Sequence, residues 1–437
     1  MSFLLEQKDG MMNIAKDHLT MLISQLIKQG MGHINKRNNI EIEKPSIESE
    51  NHGNHQISLS KQDNQLNLQK ILEKISDKTL IEYVIETAKK TIKKEDSLVR
   101  LILYTSLSTY TKDPVNLGLI APTSEGKTYA VSEIIKFLSK HDVWMIGSMS
   151  PKVIIRDKGI LVNSEYQPID PIIKELKRQI KKAEDDDIKE DLKEQLQAIY
   201  DNSKVLIDLS NKVLVFLEPP HSETWNILKP ILSHDSFEIE HPYVYKTETK
   251  GQEVKHIVTR GWPACIFCSA KDDSSWSMWP EIQSRFFIVS PNMVKQKYHD
   301  SNVLIGQKKG LPSLVQEQII ISPEEIQTAK DCIMLIKEEL QKNYKNNVWI
   351  PFNSILSQSL PSEKGSDVRI TNRIFSLLTL MTKINSFNRP KLVFGQETLA
   401  ISMLSDLEEV LKLTHNITGI PSFKLEFFTD VFLSLFL

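Results

Sequence analysis

The stretch Val115-Asn116-Leu117-Gly118-Leu119-Ile120-Ala121-Pro122-Thr123-Ser124-Glu125-Gly126-Lys127-Thr128 decides how this chain is read. Residues 115–120 form a short apolar run after the break Lys112-Asp113-Pro114, which predicts a buried strand. Residues 121–128 end in Gly-Lys-Thr, and a helical pattern follows over 129–139. Strand, loop and helix in that order are the context a phosphate-binding loop requires. Backbone N–H groups of such a loop and of the helix N-terminus surround a phosphate. Ala121, Pro122, Thr123, Ser124, Glu125, Gly126, Lys127 and Thr128 are therefore the candidate nucleotide-binding residues. Gly126 lets the backbone come close, Lys127 brings a point charge to the β/γ-phosphates, and the Thr128 hydroxyl is a candidate Mg²⁺ ligand. Ala121 stands where Gly is usual, which removes some conformational freedom. The competing reading is a chance loop containing Gly-Lys-Thr.

A phosphate loop needs an acidic partner on a neighbouring strand. Residues 212–217 predict that strand; Glu218 closes it and Pro219-Pro220 follow. Glu218 is the candidate for polarising the attacking water and for holding Mg²⁺. The usual pattern places Asp before Glu, with the Asp holding the metal through water. Here that position is Leu217, so either Glu218 does both jobs or hydrolysis is weak. The alternative for Glu218 is an exposed strand-end carboxylate.

Further strands are expected at 143–147, 263–270 and 286–289, with a helix near 222–232. A β-hairpin is expected over 237–259. The charged stretch 171–200 predicts a helical hairpin or a bent coiled-coil arm, against a single solvated helix, with the break at Asp185-Asp186-Asp187. Upstream, 11–29 suggest a short amphipathic helix, 30–67 a polar linker, and 68–112 helices with Asp96 as an N-cap. From Ser322 the pattern is helical, apart from short extended pieces near 348–352 and 391–394. The expected organisation is 1–67, 68–112, a core over 113–310, and a C-terminal helical region over 311–437.

The chain has 437 residues, a prior of about two or three domains. Lys+Arg number 54 against 56 Asp+Glu, so a polybasic binder is excluded and any nucleic-acid contact must be local. Three cysteines, Cys265, Cys268 and Cys332, make no disulfide framework in a chain of this length, which points to a reducing, cytoplasmic setting. Cys265 and Cys268 form a CxxC, but on a strand positions i and i+3 face opposite ways, against a metal site. Residues 1–10 lack the features of a signal peptide, and no run of 18 apolar residues occurs, so no membrane partner is expected. The apolar run 423–437 is interrupted by Lys424, Glu426 and Asp430 and requires a cover.

The order of these elements resembles the AAA+ ATPase core of ring helicases. It is most similar to the helicase modules of phage and plasmid primase-helicases and, more distantly, to minichromosome maintenance helicases. The resemblance runs over about 79–289, more weakly to about 385. It includes the segment Met149-Ser150-Pro151-Lys152-Val153-Ile154-Ile155-Arg156-Asp157 after the loop. What it implies is an α/β P-loop NTPase with a three-layer αβα core, an N-terminal helical segment and a C-terminal helical, winged-helix-like region. It further implies ATP and Mg²⁺ as cofactors, a homo-oligomer, and single-stranded DNA as the nucleic-acid partner. No primase-type carboxylate cluster or zinc site stands out, so a primase would be another chain.

The resemblance also places residues. Ser269, at the tip of strand 263–270, falls where a γ-phosphate sensor sits, although Asn or Thr is more usual. Arg285, in Ser284-Arg285-Phe286, matches the arginine finger that reaches a neighbouring subunit's ATP; the bland alternative is a surface Arg. Arg373, with Arg369 as rival, opens a helix resembling the lid that carries a second arginine sensor. Lys246, Lys250 and Lys255 on the hairpin suit the tracking of strand phosphates, against the alternative of an ordinary surface hairpin. Trp262, Trp276 and Trp279 could stack bases, but packing is the more common use of such a cluster. Two functional classes follow: an oligomeric ATPase that moves or unwinds nucleic acid, or a nucleotide-dependent binding module with weak hydrolysis.

Overall fold

The computed structural model describes residues 71–75, 78–146, 158–218, 222–247, 251–270, 279–342, 348–360, 362–394 and 397–414. The expected N-terminal helix and linker, the Ser-Pro-Lys segment, Trp276, Lys250 and the C-terminal apolar run lie outside these residues. In chain order the first elements are α1 (Leu80–Lys89), α2 (Asp96–Ser108), β1 (Leu117–Ile120), α3 (Lys127–Ile135), β2 (Val143–Ile146) and β3 (Ile160–Val162). Then come α4 (Asp170–Lys182), α5 (Asp186–Asp201), β4 (Lys204–Asp208), β5 (Val213–Phe216), α6 (Ser222–Leu232), β6 (Glu238–Thr247), β7 (Gly251–Arg260) and β8 (Ala264–Ser269). They are followed by α7 (Trp279–Gln283), β9 (Phe287–Val289), α8 (Lys295–Gly310), α9 (Ser313–Ile319), α10 (Pro323–Lys342) and β10 (Val348–Trp349). The last are α11 (Asn353–Ser359), α12 (Gly365–Ile384), β11 (Lys391–Phe394), β12 (Glu397–Ile401) and α13 (Leu404–Thr414).

The central sheet has five strands in the order β2-β5-β8-β1-β9, and every neighbouring pair is parallel. A parallel sheet is covered on both faces, which is why its strands read as unbroken apolar runs. Side chains still alternate. Leu117, Leu119, Val213, Val215, Ile266 and Cys268 enter one core, while Leu214, Phe216, Cys265, Phe267 and Ile288 enter the other. The first core is covered by α1, α2, α3, α10, α12 and α13. The second is covered by α6 and α7, through Trp225, Leu228, Ile231 and Ile282. The molecule is thus α/β, a parallel sheet between helical layers.

Cys265 and Cys268 lie in different cores, on opposite faces of β8, as strand periodicity requires. The CxxC therefore presents no joint ligand pair. The charged stretch is a helical hairpin, α4 and α5 packed on each other, with Asp185 capping the Asp187 N–H at 3.0 Å. The expected β-hairpin extends further than its apolar pattern, pairing Glu238↔Arg260 through Thr247↔Gly251. It belongs to a second sheet, β3-β4-β7-β6, which the sequence reading lacked because β3 and β4 were not expected. Trp262 packs in this region, donating to the Ser236 carbonyl (3.0 Å) beside Phe237 and His234, and Trp279 packs on the second core.

The N-cap of α2 is Glu95, one residue earlier than expected, and Asp96 instead pairs with Arg100 at 2.9 Å. The C-terminal region holds helices and a small sheet, β10-β12-β11. It shares the first core with residues 71–138, so the hydrophobic interior crosses the expected boundary at 311. Lys337 of α10 binds Asp142 (2.5 Å), which also accepts from Tyr110 (2.7 Å). Among the described residues, no helix is long and apolar enough to cross a membrane.

Gly118 sits mid-β1 under two side chains. A Cβ there would lie 2.6 Å from Phe267 Cζ and 2.7 Å from Ile288 Cδ1. Gly118→Ala should therefore cost about 1–3 kcal/mol through overpacking, measured by urea denaturation. An unchanged midpoint would mean that this face of β1 is not packed as described.

Candidate functional site

The loop after β1 leaves the carboxyl edge of the sheet. The connection from β1 runs to β2 through α3 on one face, whereas β8 leads to β9 through α7 on the other. Adjacent strands whose connections diverge in this way open a crevice at their carboxyl ends, where α/β sheets bind ligands. Ala121 donates to the Ser269 carbonyl at 3.3 Å, which closes the floor of that crevice. Ser124 (φ +70°) and Gly126 (φ +81°) are both left-handed, so the chain turns sharply into α3. Apart from its chain neighbours and its own helix's backbone, no atom lies within 4 Å of where a Gly126 Cβ would stand. Its conformation, rather than lack of space, is what calls for glycine. Gly126 is also the N-cap of α3 and offers no side chain to the first N–H groups of the helix.

Lys127 is only 8% exposed. Its Nζ donates to the carbonyls of Ala121 (2.7 Å) and Pro122 (2.6 Å), so the side chain folds back beneath its own loop. Burial lowers its proton affinity, against the pull of Cys268 and Glu125. Thr128 is hydrogen-bonded to the Cys268 thiol, whose pKa burial pushes up to about 11. That thiol is protonated at neutral pH and is a weak partner that Thr128 can exchange. Ser269 is buried at the tip of β8. Glu218 stands exposed two residues beyond Phe216, the end of the strand that pairs with β8 at Phe216↔Phe267. Three sequence candidates, the loop, Ser269 and Glu218, thus share one edge. Leu217 packs against the first core, so its position carries no carboxylate toward the site.

Arg285 and Arg373 lie elsewhere. Phe287 N–H donates to the Asn116 carbonyl at 2.8 Å, which puts the start of β9 beside the start of β1. Arg285 donates to Ser233 Oγ and to the Glu281 carbonyl (2.9 Å). Arg373 donates to the carbonyls of Phe286 and Gln283 (3.3 Å), and its guanidinium lies 5.3 Å from the Phe287 ring centroid. Both line a cavity of about 290 Å³ with Asp113, Asn116, His234 and Arg369. Burial, then Arg369, lowers the pKa of Arg285 and brings that of Arg373 down to about 10. This is the amino edge of the sheet. A four-residue strand at about 3.3 Å per residue separates it from the loop. Arg373 therefore does not reach a nucleotide held by its own chain's loop. α12 packs at the amino end of the sheet, so the lid-sensor expectation for Arg373 is left without support from its own chain's loop. Arg285 is likewise remote from its own loop.

The backbones of Lys246 and Lys255 lie on β6 and β7, facing each other's strand near the hairpin end. Their side chains, like the whole of Lys250, lie outside the described residues. Sequence reasoning missed a second group at the loop. Lys297 and Tyr298, in the first turn of α8, bond to Glu125, and Lys297 forms a buried pair with Glu95. No motif announces these residues. A scan of protein-family models finds no match to this chain, and a search of curated proteins finds none either.

The geometry generates a direct test of where Arg373 acts. Arg373→Ala should leave MgATP affinity of the isolated subunit within about twofold, while costing on the order of 1–2 kcal/mol of stability through the two uncapped carbonyls. Calorimetric titration beside a thermal melt reads both. A large loss of affinity in a fully folded subunit would return Arg373 to the nucleotide site.

Proposed function

We propose that this chain is a magnesium-dependent ATPase of the AAA+ kind that acts on nucleic acid as a homo-oligomer, with ATP held by residues 121–128. The observation that carries the reading is Lys127: a nearly buried ammonium bonded only to carbonyls of its own loop, at the N-terminus of a helix and on the crevice edge of a parallel sheet. A phosphate can replace those carbonyls as its partner, and the uncapped N–H groups of α3 add donors of the same sense.

Thr128 and Glu218 are the residues that would hold Mg²⁺, which supplies charge neutralisation on the β- and γ-oxygens. Glu218 takes a proton from the water that attacks the γ-phosphorus. The bond from that phosphorus to the β–γ bridging oxygen breaks, and ADP and phosphate leave. Lys127 stabilises the charge that develops on the departing side. Ser269, beside Ala121, would contact the γ-phosphate. Arg285 would act on the ATP of a neighbouring copy, and Lys246, Lys250 and Lys255 on a strand's phosphates. Three free cysteines, all buried, fit a reducing compartment such as the cytoplasm. A second reading, a nucleotide-dependent binding module with slow hydrolysis, is favoured by one observation: Leu217, packed against the core, stands where an Asp would hold the metal.

Two substitutions test the proposal together. Lys127→Ala should lower MgATP affinity by about two orders of magnitude. Glu218→Gln should bind ATP as the wild type does and release almost no phosphate. Calorimetry and a phosphate-release assay, with and without single-stranded DNA, provide the readouts. Equal ATP binding by wild type and Lys127→Ala would end the phosphate-loop reading. Wild-type turnover by Glu218→Gln would move the base to another residue.

A further inference from the structure

Lys297 and Glu95 form the most enclosed ion pair at the loop: Nζ to Oε1 is 2.6 Å, with the side chains 8% and 4% exposed. The same ammonium donates to the Glu125 carbonyl (3.0 Å) and the Asn292 carbonyl (2.9 Å). Its three donors are therefore all engaged. Glu95 in turn accepts from the Asn292 N–H (2.9 and 3.2 Å), and Asn292 Nδ2 donates to the Lys94 carbonyl (2.7 Å). Tyr298 holds the Glu125 carboxylate at 2.9 Å. Three segments meet here: the turn before α2, the phosphate loop, and the start of α8.

Burying two charges costs several kcal/mol per ion, and an apolar pair of the same volume commonly serves stability as well. What an apolar pair cannot supply is the third bond, onto the loop. We infer that the Glu95–Lys297 pair positions the phosphate loop, Lys297 pulling the Glu125 carbonyl outward so that the Gly126 N–H is aimed inward at a bound phosphate. This rests on the reading of 121–128 as the nucleotide site.

The direction follows from the peptide group. There are no cis bonds among the described residues, so the Glu125 C=O and the Gly126 N–H lie in one peptide plane and point in opposite directions. Fixing the oxygen on Lys297 turns the N–H away from α8. Packing cannot do this at Gly126, because nothing approaches its Cβ position. Two lysines thus hold the loop from two sides in different electrical states. Lys127 has only carbonyl partners and keeps its charge available to an anion. Lys297 is neutralised by Glu95, so it is a positioning residue and not a phosphate ligand. Glu95 resists this arrangement: burial raises its pKa, against the hydrogen bonds from Lys297 and Asn292. Its N-cap position does not use its side chain for the helix, leaving the carboxylate to the pair.

The test uses the full chain. Lys297→Met alone strands a buried carboxylate, so the deciding variant is the double Glu95→Gln/Lys297→Met, which removes both charges; Lys297→Arg is the conservative control. Amide exchange of the peptide spanning 121–128 is measured without nucleotide, and MgATP affinity by calorimetry. In the folded double variant, loop exchange should rise and MgATP affinity fall, each about tenfold, the worth of one charge-assisted hydrogen bond. Lys297→Arg should restore most of both. A folded double variant with loop exchange and affinity within about twofold of wild type overturns the inference. A wild type that binds no ATP, with exchange still raised in the variant, would instead sink the nucleotide reading and leave the clamp standing.

Discussion

The pairing of β1 on both edges, with β8 and β9 in parallel, fixes where everything else in this molecule lies. Four residues, Leu117–Ile120, are buried on both faces and have no freedom to slide. A one-residue slip would drive Leu117 and Leu119 from one core into the other and set Gly118 away from Phe267. Because the neighbours run parallel, the loop after β1, Ser269 after β8 and Glu218 after β5 must emerge at one edge. The same constraint sends Asn116, Arg285 and the α12 arginines to the opposite edge.

Positive charge accordingly gathers at both ends of the sheet, in different forms. At the carboxyl edge, Lys127 is held by neutral carbonyls at a helix N-terminus. At the amino edge, Arg285, Arg369 and Arg373 surround a cavity, and among the described residues no carboxylate forms an ion pair with Arg285 or Arg373. A stack of copies that set one edge against the other would bring the arginine cavity toward a neighbour's 121–128 loop. The two positive edges would repel unless a nucleotide's phosphates lay between them, and that bridging is the physical basis of the oligomeric part of the proposal.

Much of this was legible in the chain. All five central strands could be read from apolar runs, because each depends on local pattern; the Asp185 break marked where the charged helix divides but left a hairpin and a single helix open. Ile160–Val162 and Lys204–Asp208 could not: three- and five-residue runs carry too little period to separate strand from helix or loop, and β4 is defined by its distant partner β7. The helix carrying Arg373 was legible, but its place was not. Periodicity says which face of α12 is apolar, and only the shared core says which end of the sheet it covers. The loop's outer support was illegible for the same reason. Lys297 and Glu125 lie 172 residues apart, and nothing local in either segment marks them as partners.

The central claim is that a nucleotide is held at the carboxyl edge by the loop after β1. Hydrogen exchange of the wild-type chain with and without MgATP tests it most directly, because it locates protection without assuming a catalytic role. The account predicts strong slowing over residues 119–131, lesser slowing near Ser269 and Glu218, and no change in an isolated subunit around Asn116, Arg285 and Arg373. Unchanged exchange at the loop, or protection confined to the arginine cavity, would contradict it.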